Sequence, residues 1–562
     1  MTAKRELFQR VAPAVLDANG SALLRAVCDD PDDLEMRTVY ADLLGELDDP
    51  RGEYIQLALR TDPTEGEATR RDELFDRHAP EWQRPLLPAD PVLRGALRDL
   101  GFSRGFVEKA TIQIRRFEIL DWLIARTPLR ELSVSDYEAA PGWGEQLAEH
   151  PVLHQLHGLE IFASGVIEPI VRKGDLRKLE ALTLAGLFTT SLARAVAESC
   201  PSLRRLTIRH TGVDPIEAEA LEALATLPLR ELELSSATID EAGAAALASM
   251  TTLSRLRLVS VSGQLRPLGA LRSKLDSLDL VSMHLGAALA PFLAQTALRE
   301  LISLDLQRNQ LTPDDLASAL SELRAGTLQE LVLSSNPVGE SGAAALSLLP
   351  ALSKLERLRA SQCGLDAGAF AALARAEWPL KRAELGLNVV DESAAKALAE
   401  GPLLRSLRTL NLSMAKLGSK AARVLGAAPW LEGVESLFLF SNKMGNTGLR
   451  ALLEQMPNAR DLSLCRENTF KEEGLLLAAR GLFPKLQHLR VDEVTSKNIV
   501  AFVESGFADD LRGAYFGNSQ ISVEAARALA SLPKVGRGGT TWSGFEPGAL
   551  DILKERWPRW AT

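Results

Sequence analysis

The chain has little of what most chemistry and most stapled folds require. It holds only four cysteines, Cys28, Cys200, Cys363 and Cys465, which lie far apart with no C-x-x-C pair. That spacing excludes a disulfide framework and a thiolate zinc site, and it fits a reducing, cytoplasmic setting. Positive charge is not in excess: 64 Lys and Arg stand against 74 Asp and Glu, for a formal net charge of -10. No nucleic-acid partner is expected, because such binding rests on cations clustered against phosphates. No stretch approaches the roughly 18 consecutive apolar residues of a membrane span, so no membrane partner is expected either. The opening MTAKRELFQRVAPAVLD is charged and amphipathic, unlike a secretory signal.

Catalytic and metal-binding patterns are missing as well. Neither G-x-S-x-G nor H-E-x-x-H occurs. Asp29, Asp30, Asp32 and Asp33 lack the central Gly and terminal Glu of a calcium loop and read as helix capping. His150, His154 and His157 form H-x-x-x-H-x-x-H, but Pro151 interrupts the segment, which reads as a turn with solvated histidines. GRGG at 536–539 lacks the Lys and Ser/Thr of a phosphate loop. The chain is therefore read as no enzyme, with no cofactor and no metal.

What it does contain is repetition. Aligned on L-x-x-L-x-L, sixteen rungs open at Leu129, Leu156, Leu179, Leu203, Leu229, Leu253, Leu275, Leu301, Leu328, Leu355, Leu380, Leu407, Val434, Ala459, Leu486 and Leu511, spaced 22 to 27 residues apart. The longer pattern L-x-x-L-x-L-x-x-N-x-L stands in LISLDLQRNQL (301–311), LQELVLSSNPV (328–338) and VESLFLFSNKM (434–444), and LERLRASQCGL (355–365) puts Cys363 at the Asn position. Alternating leucines predict a short strand with every second side chain in a core. Asn309, Asn336, Asn388 and Asn442 follow that strand, where an amide can satisfy backbone groups of the turn. At Ala237 and Val261 the amide is absent, and less regular turns are expected.

In many repeats a Gly and an Ala-rich run follow, as in DEAGAAALASM (240–250), GESGAAALSLL (339–349), DAGAFAALARA (366–376) and GNTGLRALLEQ (445–455). These predict helices with small faces that pack closely on the outer side of the sheet. Because one repeat cannot bury its own apolar face, caps are expected. Residues 97–124 supply the first, and VGRGGTTWSGF (535–545) reads as a degenerate last repeat closed by the helix GALDILKERW (548–557).

This pattern resembles the ribonuclease-inhibitor-like class of leucine-rich repeats over roughly residues 125–545. The resemblance implies an α/β solenoid, a horseshoe with a parallel sheet on the concave face and helices outside. It is silent on function, since relatives include inhibitors, GTPase activators and scaffolds. Residues 22–60 resemble a small helical domain found beside repeats in some bacterial proteins, through Asp30, Pro31, Asp33, Arg37, Tyr40, Ala41, Asp42, Asp49, Pro50, Arg51, Gly52, Glu53, Tyr54 and Ile55. Leu43 stands where that family usually has Trp. GFSRGFVEKATI (101–112) resembles the junction in such proteins. Asp30 followed by Pro31 predicts a helix start, and DDPRG (48–52) a turn. The expected organisation is a helical domain at 1–90, a cap and junction at 91–128, repeats at 129–534, and a terminal cap at 535–562.

Positions 3, 5, 7 and 8 of each rung face solvent. They carry charge in alternating blocks: Arg205, Arg209 and His210; Glu231 and Glu233; Arg255 and Arg257; Asp279 and Asp305; then Glu330, Arg357 and Arg359. The face then turns apolar, with Leu387, Met414, Phe438, Phe440 and Cys465 on successive rungs. Apolar clusters ringed by charge are where partner proteins bind. A monomeric scaffold or inhibitor that binds another protein on this concave face is the expected function, and a GTPase-activating regulator the alternative.

Overall fold

The structure is a computed structural model that describes residues 16–113, 118–134, 142–162, 166–263, 266–295, 298–465, 473–535, 537–539 and 543–556. Two compact units divide between Leu275 and Asp276.

The first unit begins with helices Ala18–Asp29, Leu34–Glu46, Pro50–Ala58, Glu65–Gln83 and Pro91–Ala96. Asp17, Asp33, Asp49 and Asp90 each accept a backbone N–H of a first turn, and Thr64 forms a capping box with Glu67. Two starts differ from expectation. Asp30 caps only the N–H of Asp32, so the helix waits until Leu34. The turn at 48–52 ends early, because Asp49 and Pro50 already open a helix. Val27, Tyr40, Ala41, Leu44 and Ile55 bury one another together with Phe106.

Phe106 belongs to an antiparallel hairpin, Leu97–Ser103 with Phe106–Ile112, at the place expected for the first cap. Its tip is Arg104 and Gly105, both at positive φ. At Gly105 a Cβ would stand 2.4 Å from Ile55, so only glycine lets the hairpin lie on the helices. Residues 114–117 of the expected cap lie outside the described residues. Phe106–Ile112 then pairs in parallel with Glu131–Val134, followed by Gly158–Ile161, Ala181–Gly186, Arg205–His210, Glu231–Ser235 and Arg255–Val259.

The second unit runs in parallel through Ser277–Val281, Ser303–Asp305, Glu330–Val332, Arg357–Arg359, Arg382–Glu384, Thr409–Asn411, Ser436–Phe438, Asp461–Ser463, His488–Asp492 and Gly513–Gly517. Every rung thus starts its strand at position 3. Arg537–Gly539 adds one more parallel strand, and helix Ala549–Arg556 follows it. Residues 536, 540–542 and 557 of that region lie outside the described residues.

Leu301, Leu304 and Leu306 at positions 1, 4 and 6 are wholly buried, and each such side chain contributes roughly 2 kcal/mol. The Ala-rich runs form helices Glu241–Ser249, Gly339–Ser347, Ala367–Leu373 and Asn446–Leu453. Buried asparagines join the rungs. The side-chain oxygen of Asn388 accepts the N–H of Cys363 and Leu365, and its amide donates to the carbonyls of Ala360 and Leu385. Where the amide is missing, the turns are bonded otherwise. Thr238–Ile239 and Ser262–Gly263 form a second parallel pair, and Ser262 donates its N–H to the carbonyl of Ala237. The fold is a leucine-rich-repeat solenoid with a small all-α region before it.

Candidate partner-binding face

Strand register lines up the open-face residues of the second unit. At position 3 the row reads Ser303, Glu330, Arg357, Arg382, Thr409, Ser436, Asp461 and His488. At position 5 it reads Asp305, Val332, Arg359, Glu384, Asn411, Phe438, Ser463, Arg490 and Tyr515. Arg357 pairs with Glu330 at 3.1 Å, and Glu384 takes both Arg359 at 3.4 Å and Arg382 at 2.8 Å. His488 lies 2.5 Å from Asp461. Burial alone would raise the Asp461 carboxyl, but hydrogen bonds from His488 and Ser436 outweigh it and hold the pKa below the ordinary carboxylate value.

Between these charged groups lies the apolar cluster. Leu387 and Met414 are 46% and 44% exposed, on neighbouring rungs. Phe438 and Phe440 are half-buried, less open than position alone suggests. Leu437 and Leu439 between them are wholly buried, so the side-chain alternation is as expected. Cys465, expected on the open face, is only 8% exposed. Its burial and the neighbouring Asp492 carboxylate push its thiol pKa well up, which favours the neutral thiol. Tyr515 and Arg490, absent from the sequence reading, share the position-5 row with Phe438.

Position 8 has a feature that the leucine pattern conceals. Its backbone is left-handed at Ser236, Ser260, Ser282, Arg308, Ser335, Gln362, Leu387, Met414, Ser441, Glu493 and Asn518. Asn and Gly accept this conformation readily, whereas a long aliphatic side chain costs roughly 1 kcal/mol there. Only Leu387 and Met414 among these residues are large and apolar.

In the first unit, Arg205 and Arg255 flank Glu231 at position 3, and Arg257 lies 3.5 Å from Glu233. Arg209 is exposed and stands over the ring of Phe162 at 5.1 Å. His210 is buried and accepts the N–H of Phe188, so it is not part of the open face. The acidic loop before Leu34 has a role that no local pattern showed. Asp32 pairs with Arg130, with His157 at 3.1 Å and with Lys178 at 2.9 Å, tying the helices to three successive repeats. Buried Arg37 adds a bond to Glu108 of the hairpin. His150 caps the N–H of Val152, and the three histidines do not converge. Among the described residues no three His, Cys, Asp or Glu side chains gather as a metal site, and no helix is long and apolar enough to cross a membrane.

Comparison with known proteins agrees with the repeat pattern. A family model described as Leucine Rich repeat matches residues 327–347. No curated protein matches the sequence. Among solved structures, Rad7 in its yeast complex with Elc1 is 17% identical, covering 58% of this chain and 79% of that one at a TM-score of 0.38. The internalin InlF of Listeria monocytogenes is 15% identical, covering 69% and 94% at 0.30. A leucine-rich-repeat protein of Leptospira interrogans is 17% identical, covering 76% and 100% at 0.37.

Proposed function

We propose that the protein is a non-catalytic scaffold that holds a partner protein on the open strand face of the rungs beginning at Leu380, Leu407 and Val434. The observation that carries this reading is the pair Leu387 and Met414. Two large apolar side chains stand exposed, side by side, at backbone positions that disfavour them. About half of each side chain stays open to solvent after folding, and a partner covering them regains that apolar area. Phe438 and Phe440 extend the patch, and Arg357 and Arg359 of the preceding rung, with Arg382 of the rung of Leu387, border it. Arg205, Arg209, Arg255 and Arg257 are read as a charged binding surface of the first unit by itself, and Cys465 as a buried support beneath the apolar patch.

The finer readings belong with this proposal. L-x-x-L-x-L-x-x-N and its amide ladder favour the ribonuclease-inhibitor-like subtype. Arg37, Tyr40, Ala41 and Ile55, buried together beside Phe106, favour a bacterial repeat-companion domain at the N-terminus. Four free, buried thiols fit a cytoplasmic protein. The test is affinity capture from the source cell with the natural chain and with Leu387→Ser/Met414→Ser. A partner retained by the first and lost by the second is the expected result. Equal recovery of every captured protein by both forms counts against this face.

A further inference from the structure

Resting on that reading, we propose the chemistry of the partner: an acidic, apolar-rich peptide segment that seats its apolar side chains on Leu387, Val389 and Met414 and its carboxylates against Lys416 and Lys443. The turn edge of these rungs presents two rows. At position 8, Leu387 and Met414 are neighbours: Leu387 donates its N–H to Ser413, and Met414 donates its own to Phe440 of the next rung. At position 10 stand Val389, Lys416 and Lys443, one per rung, with Val389 38% exposed and both lysines exposed. Neighbouring rungs lie about 5 Å apart, so the apolar row and the cationic row run side by side within reach of one extended segment.

Lys416 and Lys443 make no ion pair among the described residues. Asp391, in the turn that follows Val389, is committed to the N–H of Ala394 as a helix cap. Glu392 shares a shallow depression with Lys420 and Arg423 on the helix side, so its carboxylate is turned toward those cations. The surrounding sequence has the same bias. Residues 401–431 contain Arg405, Arg408, Lys416, Lys420 and Arg423 and no Asp or Glu, in a chain whose net charge is -10. A local cationic edge on an acidic protein selects an anionic ligand. Apolar side chains interleaved with that edge select one with aliphatic or aromatic groups, which a phosphate backbone does not offer.

The experiment uses the full chain and fluorescence anisotropy with a labelled twelve-residue peptide in which Leu and Phe alternate with Glu and Asp. A second peptide carries Lys for every acid, a third carries Gln, and a twelve-nucleotide oligothymidylate is the fourth probe. The acidic peptide is expected to bind most tightly, and Lys416→Glu/Lys443→Glu to weaken it about tenfold with an unchanged melting temperature, since both side chains are exposed. Leu387→Ser/Met414→Ser is expected to weaken it by a similar factor. The proposal is overturned if the Lys or Gln peptide binds as well, if charge reversal leaves the affinity unaltered, or if oligothymidylate binds more tightly. Binding of the Lys or Gln peptide that Leu387→Ser/Met414→Ser abolishes would overturn the acidic partner while retaining the face. Failure of every probe, with partner capture insensitive to Leu387→Ser/Met414→Ser, would remove both.

Discussion

The side-chain oxygen of Asn336 accepts the backbone N–H of Asn309 at 3.0 Å, so the asparagine of one rung closes the turn of the rung before it. The same oxygen takes the N–H of Leu311, and the amide donates to the carbonyls of Leu306 and Leu333. Asn336→Ala leaves the N–H groups of Asn309 and Leu311 unpaired, at about 1 to 3 kcal/mol each before relaxation. A total loss of about 3 kcal/mol or more in urea unfolding is expected, and one below about 1 kcal/mol would show that water replaces the amide.

Cys363 holds the same slot with a weaker group, its thiol donating to the carbonyl of Leu333 at 3.2 Å. Burial pushes that thiol up to about 11, which keeps it neutral and unreactive. Cys363→Asn should restore the amide pattern and stabilise the chain by about 1 kcal/mol. A decrease in the midpoint of unfolding would mean that the slot, shaped for sulfur, is too tight for the amide.

Met414 offers a trade between stability and binding. Met414→Asn places a residue that tolerates left-handed backbone where the wild type is strained and removes exposed apolar surface. Stability should rise by about 0.5 to 1 kcal/mol while partner binding falls. A variant that loses stability would show that Met414 packs within the chain and was not placed for a partner.

Much of this was legible in the sequence. Each of the sixteen rungs delivered its strand two residues after the residue that opened it, because leucine alternation is a local pattern and local patterns fix short strands. The buried asparagines were legible for the same reason. The anchoring of the helical region was not, since Asp32 meets Arg130, His157 and Lys178 from 98 to 146 residues away. The acidic loop looked like helix capping, and Asp33 alone does that work. Burial of Cys465 was missed because exposure on a strand face depends on what neighbouring rungs lay beside it, here Asp492.

Asp32 gives the next test. Its side chain is one-third exposed, so solvent screens its ion pairs and Asp32→Ala should cost only about 1 kcal/mol globally. The local effect should be larger. Faster hydrogen exchange in helices Ala18–Asp29 and Leu34–Glu46, with the repeats from Asp276 onward unchanged, is the expected pattern. Unaltered exchange in both helices would mean that Arg37–Glu108 and the packing of Phe106 hold the region alone.

Phe438 and Phe440 decide between packing and binding. Being half-buried, they cover neighbouring side chains on the sheet, so each Phe→Ala change should cost about 1 to 2 kcal/mol, below the 3 kcal/mol or more typical of a fully buried ring. Leu437, wholly buried between Ser436 and Phe438, provides the control. Leu437→Ala should cost about 3 kcal/mol and leave binding by the folded fraction intact, because the side chain faces away from the partner. The two rings should behave in the opposite way, with a smaller loss of stability and a loss of affinity on the order of 2 kcal/mol when either is removed. The comparison is made by urea unfolding and titration calorimetry with the captured partner. If Leu437→Ala proves milder than Phe438→Ala in unfolding, the rings are core and the partner must engage Leu387 and Met414 without them.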